Sequence, residues 1–227
     1  MTARPILMSG AMVRSLLAGT KTQTRRIVKG VALDWLDGVG FDPAFLTHPG
    51  NDVCPYGRPG DLLWVRETWG AGTRPCSFSG WVDGIEYRAD CEGDEPPPLH
   101  PIIPEHVEAD SIRAGWRPWI HMPRWASRLT LELTEVRVER KQAISAEHAI
   151  AEGIEPVFNG SGERCGWLNY LYSGDGTGHF TDPRDSYASL TDFINGPGSW
   201  DANQWLWVLS FRVHQQNVDA LLKERAA

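Results

Sequence analysis

Eight consecutive residues, Gly19-Thr20-Lys21-Thr22-Gln23-Thr24-Arg25-Arg26, hold three cations and three hydroxyls with no acid among them. Guanidinium and ammonium groups this dense suit an anion or a strongly polarised carbonyl. A threonine hydroxyl becomes a nucleophile only when a neighbour takes its proton, and a lysine can take it only as the neutral amine. Desolvation and the positive charge of Arg25 and Arg26 both favour that form. Geometry adds a condition. Residues three apart share a side of a turn but face opposite sides of a strand, so Lys21 and Thr24 cooperate only if the chain turns between them. A regular strand instead sets Thr22, Thr24 and Arg26 on one face and Lys21, Gln23 and Arg25 on the other. Taken alone, the segment is also compatible with a solvated basic rim around a strand-surface threonine.

The surrounding charge is segregated. The 227 residues carry a net charge of −7, yet residues 1 to 33 contain six bases and no acid, leaving 16 bases against 29 acids elsewhere. A second acid-free stretch, Ser111 to Leu131, interleaves Arg113, Arg117, Arg124 and Arg128 with Trp116, Trp119 and Trp125. That composition fits either stacking on bases beside phosphates or ordinary core packing. Four irregularly spaced cysteines, Cys54, Cys76, Cys91 and Cys165, signal neither a zinc cage nor a disulfide framework, so free thiols and no metal are expected. The sequence lacks a bilayer-spanning apolar run and a secretory signal, which leads to the expectation of a cytoplasmic protein with no membrane partner.

The elements that must position these groups read as follows. Residues 4 to 9 form a strand, Ser9 caps a helix over 11 to 18, and Gly19 ends it. Lys21 to Val28 is a turn leading into a strand whose polar residues sit on a rim. Residues 60 to 69 form a strand with Glu67 near its end. Residues 83 to 110, nine acids against Arg88 and rich in proline, read as an acidic surface loop. Alternation over 128 to 140 predicts a half-buried strand. Ser145 caps a helix through Glu152, stopped by Gly153, and the glycines from 155 to about 185 predict a mobile loop, a lid or an insertion. Residues 205 to 213 form a strand with Trp205, Trp207, Leu209, Phe211 and Val213 on one face, and 218 to 225 a terminal helix. Strands with few, short helices define an α+β class: one mixed β-barrel domain over residues 1 to 227, with insertions at 83 to 110 and 155 to 185.

The order strand, short helix, Gly19-Thr20-Lys21-Thr22-Gln23-Thr24-Arg25-Arg26, then Gly60-Asp61 and a strand ending in Glu67, resembles the ASCH family of the PUA-like superfamily. Phage and prophage members share the flavour of RPILMSGAMVRSLLAGTKTQTRR, GDLLWVRETW, WRPWIHMPRWASR and SWDANQWLWVLSF, about half of the chain. The resemblance implies a PUA-like barrel with a cleft for a nucleobase or RNA. Some ASCH members are amidohydrolases that deacetylate N4-acetylcytidine, relying on a lysine, a threonine three residues later and a downstream glutamate. By motif position these are Lys21, Thr24 and Glu67, with Glu86 or Glu95 as substitutes for the last. Arg25 and Arg26 would bind oxyanion or phosphate, and Trp64, Trp69 and Trp116 would offer stacking surfaces. No cofactor is implied. The expected partner is a modified nucleoside, RNA or DNA, and a monomer in the host cytoplasm is the simplest setting for a phage-encoded protein. A non-catalytic RNA-binding module is the alternative.

Overall fold

A computed structural model describes residues 2–51, 53–76, 80–91, 97–100, 115–172 and 178–226. Along the chain come β1 (Ala3–Leu7), α1 (Gly10–Leu17), β2 (Gln23–Ile27), a turn of α2 (Val31–Leu33) widening into a π-helix (Asp34–Val39), and α3 (Pro43–Leu46). These are followed by β3 (Leu62–Arg66), β4 (Trp69–Cys76), β5 (Gly80–Tyr87), β6 (Thr130–Arg140), α4 (Ala146–Ala151), β7 (Pro156–Phe158), β8 (Arg164–Leu168) and β9 (His179–Phe180). The chain ends with α5 (Pro183–Asn195), β10 (Trp205–His214) and α6 (Val218–Ala226). The class is α+β. Among the described residues, five strands hydrogen-bond in the order β1-β3-β6-β10-β2, two more form the β4-β5 hairpin, and three form a β7-β8-β9 sheet. The contacts divide the chain into two compact units.

The first unit comprises Met1–Ala18, Gly60–Glu132 and Arg212–Ala227. Its strand β1 runs parallel to β3, from Ala3 opposite Leu62 to Leu7 opposite Arg66. Leu62, Leu63, Trp64 and Val65 are all buried, so both faces of β3 are covered, the mark of an interior strand. Leu62 and Trp64 pack with Val218 and Leu221 of α6. The Ser9 side chain caps α1 by accepting the Met12 N–H at 3.4 Å, and Gly19 follows the helix at φ +73°, a conformation costly for any residue with a Cβ. The acidic stretch begins differently from the expected loop. Residues up to Tyr87 complete the β4-β5 hairpin, from Trp69 opposite Tyr87 to Cys76 opposite Gly80. Trp69, Ile85 and Tyr87 then bury against Met122 and Ala126. Alternating burial of Ile85 and Tyr87 outweighs the local acid count. Residues 92–96 and 101–110, and with them Glu95, lie outside the described residues.

The second unit comprises Gly19–Pro59 and Leu133–Phe211. Strand β2 pairs antiparallel with β10, Gln23 opposite Ser210 and Ile27 opposite Leu206. Leu206, Trp207, Val208 and Leu209 are all buried, so β10 is covered on both faces here rather than on the one its odd-numbered residues suggested. The Ser145 side chain caps α4 by accepting the His148 N–H at 3.1 Å, and Gly153 ends the helix at φ +84°. The glycine-rich 155 to 185 stretch is a correction to the loop expectation. It forms β7, β8 and β9 and the start of α5, and its Trp167 packs with Ile144, Ala149, Ile154 and Tyr187. Gly166 serves close approach: a Cβ there would lie 2.6 Å from the Phe180 carbonyl oxygen. Gly174 and Gly176 lie outside the described residues. None of the described helices is long and apolar enough to cross a membrane.

Candidate active site

Two of the three motif cations, Lys21 and Arg25, are not on a rim. Lys21, Gln23, Thr24 and Arg25 are buried, Lys21 and Thr24 to 1 % exposure each. The chain is already extended at Thr22, whose carbonyl accepts from the Phe211 N–H (3.0 Å) and whose N–H donates to Ala151 (2.9 Å). That second bond ties the entry of β2 to the end of α4. It sets Lys21 against the helix C-terminus, where carbonyls lack intrahelical partners.

Lys21 Nζ donates to the Glu152 backbone oxygen at 2.8 Å and to Glu152 Oε2 at 2.7 Å. Arg25 Nη1 reaches Glu152 Oε1 at 3.4 Å and Gln23 Oε1 at 2.6 Å, while Nη2 reaches Glu139 Oε2 at 3.3 Å. The Arg25 guanidinium also lies 5.8 Å from the centroid of the Tyr187 ring, supplied by α5. Lys21, Gln23 and Arg25 thus act as the i, i+2, i+4 face of an extended chain. Burial pulls the Lys21 ammonium below the ordinary lysine range. The charge and hydrogen bond of Glu152 restore part of that, and Arg26 and Arg25 push it down further. Burial likewise pushes the Tyr187 phenol well above its usual value.

Thr24 belongs to the other phase, paired opposite Leu209, and it makes no hydrogen bond to Lys21. Its buried Oγ1 has no hydrogen-bond partner among the described residues, and neither has the buried Nε of Arg25. Half-buried Arg26 also lies in that phase, and its charge acts on both Lys21 and Tyr56.

Glu67 belongs to the first unit, where Arg128 holds it through Nε–Oε1 (2.9 Å) and Nη2–Oε2 (3.0 Å). The same guanidinium grips Asp90 with two bonds of 2.7 Å and lies 3.9 Å from the Tyr87 ring centroid. Burial raises Glu67 above the usual carboxylate range, and Arg128 opposes that without cancelling it. At Asp90 burial pushes upward too, but the Arg128 bonds and charge, with His100, win and hold the carboxyl low. Glu67 is therefore one acid of a satisfied ion cluster. Glu86 lies on β5 of that same unit.

Of the candidate stacking rings, Trp64 and Trp69 are packed in hydrophobic clusters with their faces covered, and Arg66 and Arg117 lie 5.4 and 5.1 Å from their centroids. Trp116 keeps 41 % exposure with the Arg88 guanidinium 5.4 Å from its ring. Cys54, Cys91 and Cys165 are free thiols. Among the described residues no group of three or more His, Cys, Asp or Glu is arranged to hold a metal.

The residue that sequence reasoning missed is Glu152. A signal for it exists: an acid at a helix C-terminus opposes the helix dipole, and residues 142 to 163 contain no Lys or Arg to offset it. Such an acid calls for a cation from elsewhere in the chain. Comparison with protein-family models, curated proteins and solved structures finds no match.

Proposed function

We propose that this chain is an ASCH-type protein with a PUA-like barrel that hydrolyses the acyl amide of an N4-acylated cytosine, in a nucleoside or a nucleic acid. The observation that carries the reading is the buried Lys21–Glu152 pair, joined at 2.7 Å inside the G-x-K-x-x-T-x-R segment. An ion pair so far from solvent is a costly way to hold a fold together, and such pairs concentrate where charge is used.

With Glu152 in place of Glu67, the chemistry closes. Glu152 takes a proton from water as the water oxygen bonds to the acyl carbon, and the Lys21 ammonium and Arg25 face the oxygen that becomes negative. The C–N bond then breaks, N4 takes the proton back from Glu152, and the acyl group leaves as a carboxylic acid. Thr24 contributes a buried hydroxyl rather than the nucleophile, because its Oγ1 has no hydrogen-bond partner among the described residues to take its proton. Lys21 and Arg25 are neutralised internally by Glu152 and Glu139, which favours a small polarised ligand over extended phosphate tracking. Cytoplasmic action on a phage or host nucleoside fits this chemistry. The assay is release of acid from N4-acetylcytidine and N4-acylated oligonucleotides. Turnover lost in Lys21→Met and Glu152→Gln supports the reading, and zero turnover by the unaltered chain over the whole panel refutes it.

The alternative, a non-catalytic nucleic-acid-binding module, draws on one observation: exposed Trp116 with Arg88 beside it, the pairing on which an unpaired base stacks. Its signature is salt-sensitive oligonucleotide binding weakened by Trp116→Ala and indifferent to Glu152→Gln.

A further inference from the structure

The Lys21–Glu152 pair is one end of a larger polar assembly. Arg25 is shared between Glu152 and Glu139. Arg137 Nε holds Glu139 Oε1 at 2.5 Å, its Nη1 holds Glu135, and its Nη2 lies 3.1 and 3.2 Å from the two His148 ring nitrogens. Glu135 Oε2 accepts from Ser210 Oγ at 3.2 Å, and Ser210 Oγ accepts from Gln23 Nε2 at 3.1 Å. Gln23 Oε1 returns to Arg25. The result is a closed ring of six side chains: Gln23, Ser210, Glu135, Arg137, Glu139 and Arg25. The period of β6 puts Glu135, Arg137 and Glu139 on one face, and the ring runs from half-exposed Glu135 (55 %) to buried Arg25 (2 %).

We infer that Glu139, which reaches the Lys21–Glu152 pair through Arg25, is a positioning residue: it divides the Arg25 guanidinium between two carboxylates and so leaves Glu152 to bind Lys21. The inference rests on the proposed role of the Lys21–Glu152 pair. The charged groups acting on Lys21 are Glu152 from the end of α4 and Arg26 and Arg25 from β2; Tyr187 of α5 lies against Arg25, and Glu139, Arg137, Glu135 and His148 stand one bond or more further out. In Glu139→Gln, Arg25 keeps Glu152 as its only carboxylate and closes on Oε1. Lys21 then faces a stronger competitor for Glu152 and has one anion fewer nearby. Both changes favour the neutral amine.

The test is the side-chain titration of Lys21 in the full chain, followed by NMR of its 13Cε and 15Nζ and assigned with Lys21→Arg. Glu139→Gln is expected to lower the Lys21 midpoint by about half a unit to one unit. Turnover of N4-acetylcytidine should lose its alkaline limb at correspondingly lower pH. Glu139→Asp should restore most of the shift. Glu135→Gln, at the half-exposed end, should leave the midpoint in place. An unchanged or raised midpoint in Glu139→Gln overturns the inference, as does an equal shift in Glu135→Gln. If the unaltered chain turns over no acylated cytosine, the deacylase reading falls while the NMR arm still decides the coupling.

Discussion

Breaking the Lys21–Glu152 pair from its two ends should have unequal consequences. Glu152→Gln leaves a fully buried ammonium whose nearest charges are the cations Arg25 and Arg26. Stranding one member of a buried pair costs about 3–5 kcal/mol, and at about 2–4 °C per kcal/mol for a chain of this size the melting temperature should fall by about 6–20 °C. Lys21→Met strands nothing of the kind, because Glu152 keeps Arg25 Nη1 at 3.4 Å. Its cost should be that of a lost charge-assisted hydrogen bond, about 1–3 kcal/mol. The pH dependence gives the sign. Lys21 titrates below its unfolded value, so between the two values the unfolded chain binds more protons and stability rises with pH. Without Glu152 the folded value drops further, the window widens, and the deficit of Glu152→Gln relative to the unaltered chain is expected to shrink between pH 7 and 9.5. The deficit of Lys21→Met should show no such relief. Melts followed by circular dichroism at both pH values measure this. Equal losses for the two variants, or a Glu152→Gln deficit that does not shrink at alkaline pH, would refute the burial argument.

Three further outcomes follow from the geometry. Thr24→Val removes a buried hydroxyl that has no partner among the described residues, so the melting temperature should rise by the equivalent of about 1 kcal/mol, with acylcytosine turnover within several-fold. Loss of turnover in a folded variant would return the nucleophile to Thr24. Arg128→Met leaves Glu67 and Asp90 facing each other without the guanidinium that bridges them, which should cost about 3–5 kcal/mol at pH 7 and less at pH 4, where the carboxyls protonate; a pH-independent loss would contradict the ion-cluster reading. Gly166→Ala forces a Cβ to within 2.6 Å of a backbone oxygen and 2.5 Å of the His179 ring, so a destabilisation of about 1–3 kcal/mol should appear in urea melts, where a flexible loop would register almost none.

Local physics was legible wherever one residue decides it. Ser9 and Ser145 cap their helices, Gly19 and Gly153 end them at positive φ, and the 128 to 140 alternation became β6. Composition misled where local and tertiary preferences compete. The acids after Asp83 concealed a hairpin whose Ile85 and Tyr87 are core, and the glycines after 155 concealed a sheet. In both stretches long-range pairing supplied what local propensity withheld.

By itself the sequence determined that cations and hydroxyls would converge at 19 to 26, and that Lys21 and Thr24 would separate if the chain there were extended. The tertiary structure decided that it is extended, and it decided which carboxylate meets Lys21. Glu67, read along the chain, is held by Arg128, whereas Glu152 is brought 131 positions to Lys21 by the bond from Thr22 to Ala151. The reason is that charge pairing depends on distance and burial through space, and a one-dimensional pattern records neither.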